Sequence, residues 1–282
     1  MPKKSLGQNF LTDRAVAQRI IRAIAPERGD FIVEIGAGHG ELTLPLARAC
    51  GERGCRIVAL EKDRRLAEHL SEKVRAADET VLRVECGDAL SFFPDGLRAA
   101  AGEAGSEKIK IVGNIPYYLT GRLLRLIGET NPKPARCVFM LQKEVADRLA
   151  ARPPRMNRLA ANVQFWGAPE VVFAVPKTLF RPPPKVDSAI VAIEAKDRRG
   201  AESGDAEDYH TAARLLFSQP RKTILNNLAA PTSRLGGGEH KAGDKGGIAE
   251  MLRGIGINPE ARPQNLSSDD IGRIAAALRK WG

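Results

Sequence analysis

Asn114-Ile115-Pro116-Tyr117 brings an amide, a proline and an aromatic together just after the apolar run Ile109-Lys110-Ile111-Val112. That run reads as a buried strand ending at Gly113. In open α/β sheets, ligands bind beyond the carboxyl ends of the strands. Proline holds Ile115 extended, because the α region is disfavoured before it. It also lacks an N–H, so nearby carbonyl acceptors meet fewer competing donors. The Asn114 side-chain oxygen and a backbone carbonyl therefore suit the two hydrogens of one amino group. The Tyr117 ring suits stacking on the flat heterocycle that carries the amine. Taken alone, four residues favour a strand-ending turn with a core tyrosine, so the rest of the chain has to decide.

A second constellation lies upstream. Gly36-x-Gly38-x-Gly40 follows the strand pattern Phe31–Ile35. Missing side chains allow tight turning and close approach of a ligand. Glu61 ends the next strand, where an acid accepts hydrogen bonds from a ribose diol; the bland alternative is a solvated charge beside Lys62 and Arg64. Asp88 ends the third strand and suits an adenine amino group, with an N-cap as its competitor. Glu34 sits inside the first strand, and a buried carboxylate needs a partner. Two cofactor classes suit this scaffold. A dinucleotide asks for Gly-x-Gly-x-x-Gly to cradle a pyrophosphate, whereas this chain has Gly-x-Gly-x-Gly. S-adenosylmethionine carries no phosphate and is favoured, because the Asn114 loop suits an amino acceptor.

The elements that must position these groups follow from periodicity. Strands are predicted at 31–35, 56–61, 81–86, 109–112 and 137–141, alternating with helices at 13–24, 41–49, 63–74, 122–129 and 143–150. Alternation of this kind implies βαβ units and a parallel sheet. Segments 171–175 and 188–193 then read as a closing antiparallel hairpin, joined through the proline-rich stretch 179–185. Residues 196–208 read as a linker. Helices follow near 209–218, 221–228, 248–254 and 268–280, with a Gly-rich loop at 231–247. The division expected is a catalytic, cofactor-binding domain at 1–196 and a small helical RNA- or ribosome-binding domain at 197–282.

The 282 residues carry a net charge of +10, which favours an anionic partner, nucleic acid before membrane. The excess is focused: residues 133–185 hold ten basic against three acidic side chains. Arg152, Arg155 and Arg158 lie there at a spacing of three, and they are candidates for phosphate contacts. Cysteines 50, 55, 86 and 137 form no Cys-x-x-Cys pair, so buried reduced thiols in a cytoplasmic protein are expected, with no metal. The N-terminus lacks the apolar core of a signal peptide, and no run approaches membrane-spanning length. A monomer is expected.

Longer stretches carry a resemblance. Gln8-Asn9-Phe10-Leu11, Glu34-Ile35-Gly36-Ala37-Gly38, Gly87-Asp88-Ala89 and Gly113-Asn114-Ile115-Pro116-Tyr117 stand in order. Met140-Leu141-Gln142-Lys143-Glu144-Val145, Pro182-Pro183-Pro184-Lys185-Val186-Asp187-Ser188 and Arg221-Lys222-Thr223-Ile224-Leu225-Asn226-Asn227-Leu228 follow. Over almost its whole length the chain resembles the bacterial small-subunit (16S) ribosomal RNA adenine N6,N6-dimethyltransferases, the family linked to kasugamycin sensitivity. The resemblance implies an α/β fold: a Rossmann-like methyltransferase sheet of seven mostly parallel strands, an antiparallel final hairpin and a small C-terminal helical domain. It implies S-adenosylmethionine contacts at Asn9, Leu11, Gly36, Glu61, Asp88 and Asn114, and Gly38 of the glycine loop is a further cofactor-binding candidate. It further implies two adjacent N6,N6-dimethyladenosines near the 3′ end of the small-subunit rRNA as products; Lys185, Arg221 and Lys222, which lie in the quoted stretches, are candidate RNA contacts. Three departures stand out: Ala37 replaces a usual Pro, Tyr118 a common Asn, and Gln219-Pro220-Arg221 interrupts a usual pair of arginines.

The chemistry can be argued without the family. An aromatic amine is a poor nucleophile, because its lone pair is delocalised into the ring. Acceptors for both N–H bonds, at Asn114 and at a nearby backbone carbonyl in the loop of the catalytic candidate Pro116, favour a pyramidal nitrogen. Positioning then supplies most of the acceleration. The adenine must be unstacked to enter. Tyr117 would cover one face and Phe180 the other, although a core aromatic is an even alternative for Phe180. The rivals are a DNA adenine methyltransferase, a large-subunit rRNA resistance methyltransferase, a ribosome-assembly factor acting by binding, and a nicotinamide oxidoreductase.

Overall fold

The computed structural model describes residues 9–77, 80–103, 105, 108–116, 119–196, 203–230 and 244–281. Tyr117, Tyr118, residues 197–202 of the linker expected at 196–208 and residues 231–243 of the Gly-rich loop expected at 231–247 lie outside the described residues, while residues 203–208, read as linker, begin a helix. The elements, in chain order, are β1 (Phe10–Leu11), α1 (Arg14–Ile24), β2 (Phe31–Ile35), α2 (Thr43–Arg53), β3 (Arg56–Glu61), α3 (Arg64–Ala76) and β4 (Leu82–Cys86). Next come α4 (Ala89–Phe92), α5 (Asp95–Glu103), β5 (Ile109–Asn114), α6 (Thr120–Glu129), β6 (Arg136–Gln142), α7 (Lys143–Leu149) and α8 (Arg158–Trp166). The chain closes with β7 (Gly167–Val175), β8 (Phe180–Arg181), β9 (Ser188–Ala195), α9 (Ser203–Leu216), α10 (Ile224–Leu228), α11 (Lys245–Gly254) and α12 (Ser268–Trp281).

These elements pack as two units. The first is Met1–Asp147 with Ala168–Ala195. Its sheet has seven strands in the order β4-β3-β2-β5-β6-β9-β7. The pairs β2–β3, β2–β5, β3–β4 and β5–β6 are parallel, and β9 returns antiparallel to β6. Every residue of β2 is buried, as expected for a strand covered on both faces. The stripe Val16, Ala17, Ile20, Ile21 and Ile24 buries one side of α1, which Asp13 caps by accepting from the Val16 N–H at 2.8 Å. At the amino end of the sheet Lys110 and Asp30 form a buried ion pair at 2.6 Å, and Lys110 Nζ also donates to the Ala25 carbonyl. Among the described residues no helix is long and apolar enough to cross a membrane.

Register sets the other end of the sheet. Ile35 of β2 lies opposite Leu60 of β3 and Gly113 of β5, while Glu61 lies opposite Cys86 of β4. Four adjacent parallel strands therefore end in step. Close packing holds them so: a Cβ on Gly113 would come within 2.4 Å of the Ile35 carbonyl oxygen. Any side chain there would wedge β5 from β2.

The second unit is Arg148–Gly167 with Lys196–Gly282. The boundary expected at 196/197 thus misses residues 148–167, which pack with the C-terminal helices. The cause is α8. Its Ala161 carbonyl accepts from the Tyr209 hydroxyl at 3.0 Å, and Phe165 stacks on Tyr209 with ring centroids 4.3 Å apart. The Lys196 N–H donates to the Trp166 carbonyl at 2.9 Å, so the chain returns to this unit beside the point where it leaves it. The cysteines need one correction: Cys50, Cys55 and Cys137 are buried, but Cys86, ending edge strand β4, is exposed.

Candidate active site

The carboxyl ends of β4, β3, β2 and β5 gather Gly36, Gly38, Glu61, Asp88 and Asn114. Gly36 and Gly38 turn the chain out of β2 with φ of 75° and 58°, values that favour glycine. The Gly38 N–H donates to Glu61 Oε2 at 2.9 Å, and the Asp63 N–H donates to Oε1 at 2.8 Å. Both oxygens of Glu61 are thereby fixed, and each keeps a lone pair for a further donor. Asp63 also caps α3 by accepting from Arg65 N–H. Sequence patterning treated it only as a helix start; its role in holding Glu61 had no signal there.

Asp88 follows Gly87 at the end of β4. Its Oδ1 accepts from the Leu90 N–H at 2.9 Å and its Oδ2 pairs with Lys62 at 2.7 Å. The Lys62 ammonium, helped by the backbone bond, holds its carboxyl below the usual carboxylate range. The competing N-cap role is therefore realised, and the carboxylate remains an acceptor.

Glu34 is the notable acid. It is 2% exposed and lines a cleft with Gly36, Gly38, Phe10, Asn114 and Met140. Burial pushes its carboxyl up to about 8, against a smaller opposite effect from a Thr43 hydrogen bond. Its Oε2 has no hydrogen-bond partner among the described residues.

Asn114 ends β5. Its Nδ2 donates to the Asn9 carbonyl at 3.0 Å. A carbonyl only accepts, so the nitrogen must face Asn9, and Oδ1 is left as an acceptor. The Pro116 carbonyl accepts from the Leu119 N–H at 2.9 Å, which leaves it one lone pair. Asn9 is itself held by a strap that patterning could not show. Phe10 and Leu11 of β1 pair antiparallel with Arg181 and Phe180 of β8. The Thr12 N–H and hydroxyl both donate to the Leu179 carbonyl. Phe10 packs on His39 with centroids 4.4 Å apart, over the glycine loop. A Cβ on Gly38 would meet the Phe10 ring at 3.1 Å.

Phe180 is not placed as expected. It is 2% exposed and packs in the core with Leu11, Ile20, Val175 and Ile190. Pairing of β8 with β1 turns the ring inward, so in this conformation it is a core aromatic and not an open stacking platform. Lys185 is exposed in the first unit. Arg152, Arg155, Arg158, Arg221 and Lys222 are exposed in the second.

The residues present suit S-adenosylmethionine. An orphaned buried carboxyl oxygen at Glu34, a fixed carboxylate at Glu61 and an oriented amide at Asn114 make a donor set rich in acceptors. Fold and site together define a Rossmann-like, S-adenosylmethionine-dependent methyltransferase. Comparison narrows the class. Residues 2–253 match the family model described as ribosomal RNA adenine dimethylase, and the chain belongs to that family. Among curated relatives, the ribosomal RNA small subunit methyltransferase A of Pelotomaculum thermopropionicum is 38% identical, covering 100% of this chain and 92% of its own. The protein of the same name from Moorella thermoacetica is 36% identical, covering 99% and 93%. In fold the chain is similar to a dimethyladenosine transferase from Plasmodium falciparum, with a TM-score of 0.79, 24% identity and coverage of 96% and 98%. It is also similar to the 23S rRNA methyltransferase ErmE, with a TM-score of 0.70, 25% identity and coverage of 96% and 100%.

Proposed function

We propose that the protein methylates N6 of two adjacent adenosines near the 3′ end of small-subunit (16S) rRNA, giving N6,N6-dimethyladenosine during ribosome biogenesis in the cytoplasm. The names of the curated relatives support the small subunit as partner. The observation that carries the reading is the Asn114 amide, turned by Asn9 so that Oδ1 is left to accept. Oδ1 and the remaining lone pair of the Pro116 carbonyl take the two hydrogens of the adenine amine. Hydrogen bonding of both N–H groups out of the ring plane withdraws the nitrogen lone pair from the heterocycle and aims it along one direction. Tyr117 follows directly in sequence and supplies the stacking face. Glu61 would hold a ribose diol, Asp88 an adenine amino group, and Asn9, Leu11, Gly36 and Gly38 the remaining contacts of the cofactor. When bound, S-adenosylmethionine supplies a methyl group on a positively charged sulfur, which is the electrophile. The protein contributes alignment, and a loss of alignment of about 1 Å costs roughly 10²-fold in rate.

The test is transfer of labelled methyl from S-adenosylmethionine to small subunits lacking the modification. Naked small- and large-subunit rRNA and DNA serve as controls, and the Asn114→Ala variant runs beside the wild type. Label should enter two adjacent adenosines of the small subunit, and Asn114→Ala should lose at least about 10²-fold in turnover. Preferred labelling of large-subunit rRNA or DNA would overturn the substrate, and normal turnover in the variant would overturn the site.

A further inference from the structure

One buried side chain of the second unit has no part in its apolar core. Asn227 lies in α10 and is 1% exposed. Its Oδ1 accepts from the Ser218 hydroxyl and the Gln219 N–H, both at 2.9 Å. Its Nδ2 donates to the Gln219 and Thr223 carbonyls at 3.1 Å and, more weakly, to the Lys222 carbonyl at 3.4 Å. All five partners belong to the short turn 218–223 between α9 and α10. Satisfaction of a buried amide is the rule, and partners scattered over the unit would satisfy it equally. Here every bond goes to one turn. A single side chain therefore stands in for the secondary structure that this turn lacks.

The turn carries Arg221 and Lys222. Both are exposed, and neither makes an ion pair among the described residues. The Lys222 N–H donates to the Gln219 carbonyl at 2.9 Å, and Thr223 caps α10 through Oγ1, which accepts from the Asn226 N–H. Between these bonds the backbone of both cationic residues is fixed, with their side chains outward. Held in that way, two long side chains lose less freedom on meeting phosphates than they would from a free loop.

We propose that Asn227 is a positioning residue for RNA recognition, which shapes the 218–223 turn so that Arg221 and Lys222 present their charges to one phosphate track. The proposal rests on the reading of Arg221 and Lys222 as RNA contacts, so the test separates the two. Affinity for unmethylated small subunits is measured across a salt series for the wild type, R221Q/K222Q, N227A, the three changes combined, and S218A. Each lost phosphate contact lowers the salt slope of log K by about 0.7–0.9. R221Q/K222Q should therefore lower it by about 1.4–1.8. N227A should lower it in the same sense and raise KM for subunits more than it changes kcat. In the combined variant N227A should add nothing, because residues acting through one another are not additive. S218A keeps the Gln219 bond to Oδ1 and should give a smaller shift of the same sign, a readout that holds even if N227A folds poorly. An unchanged slope in R221Q/K222Q would remove the RNA reading of the turn and the proposal with it. A normal slope in N227A and S218A, or a full additional loss in the combined variant, would overturn the role of Asn227 alone.

Discussion

At the residue scale, the acids at the strand ends do different work because their surroundings differ. Asp88, beside Lys62, stays charged. Glu61 is fixed by two backbone N–H donors. Glu34, without such donors, is raised to about 8 by burial. Its ordinary value is 4.5, so between about pH 4.5 and 8 the folded state holds a proton that the unfolded chain has released. Stability from this group is therefore complete below 4.5 and is lost as pH rises through 8. The slope is at most about 1.4 kcal/mol per pH unit. Urea titrations of the wild type and Glu34→Gln from pH 5 to 8 should show the difference between them shrinking or reversing with pH in favour of the variant. Parallel curves would mean that Glu34 is already ionised in the folded protein.

At the scale of elements, the sequence was legible wherever an apolar run had to be covered on both faces. Strands β2 to β6 fall close to their expected positions, and Asp13 and Asp63 cap the helices that their spacing predicts. Helices α4 and α5 had no counterpart among the expected elements, and two further features were illegible for physical reasons. Helix α8 buries Ala160, Ala161, Val163, Gln164, Phe165 and Trp166, a near-continuous run without a 3.6-residue stripe, directly after a proline-rich turn. Strands β1 and β8 have two residues each, too few for any period, and their pairing spans most of the chain. The candidates at Gly36, Glu61, Asp88 and Asn114 were legible because each ends a strand or follows it within two residues. The core alternative for Phe180 is the one seen in this conformation, and the sequence could not choose it because the ring's inward direction is set by that long-range pairing. Truncation tests the correction: Phe180→Ala should cost about 3–5 kcal/mol of stability, read by denaturant unfolding, and should loosen the strap that holds Asn9 against Asn114. Full stability with lost methyl transfer would instead restore a stacking role. The Lys110–Asp30 pair makes a second element-scale prediction. Lys110→Met leaves a buried carboxylate and should cost about 3–5 kcal/mol, whereas adding Asp30→Asn should recover part of that loss. If the double variant is less stable than the sum of the singles, the two groups do not act as a pair.

At the scale of the whole molecule, reassigning residues 148–167 changes where the charge sits. Those twenty residues hold four arginines and no acid. With them, the second unit carries eighteen basic against eleven acidic side chains, +7 of the total +10, in fewer than half of the residues. The candidate cofactor residues belong to the nearly balanced unit, and most of the excess positive charge belongs to the other. Asn157 caps α8 and donates to the Arg148 carbonyl, while the Arg155 N–H closes a turn on the Arg152 carbonyl. Arg152, Arg155 and Arg158 are thus held on an ordered edge, and none makes an ion pair among the described residues. Charges already neutralised by carboxylates would release few counterions from RNA; these three are available to do so. Replacing all three with Gln should lower the salt slope of log K for unmethylated small subunits by about 2.1–2.7, at about 0.7–0.9 per phosphate. The loss in kcat/KM should fall on KM, because the Asn114 geometry lies in the other unit. Affinities measured between about 50 and 200 mM salt, the range in which such contacts change binding most usefully, decide the matter. If the triple variant keeps the wild-type slope, RNA does not run along this edge, and the excess charge of the second unit acts elsewhere on its surface.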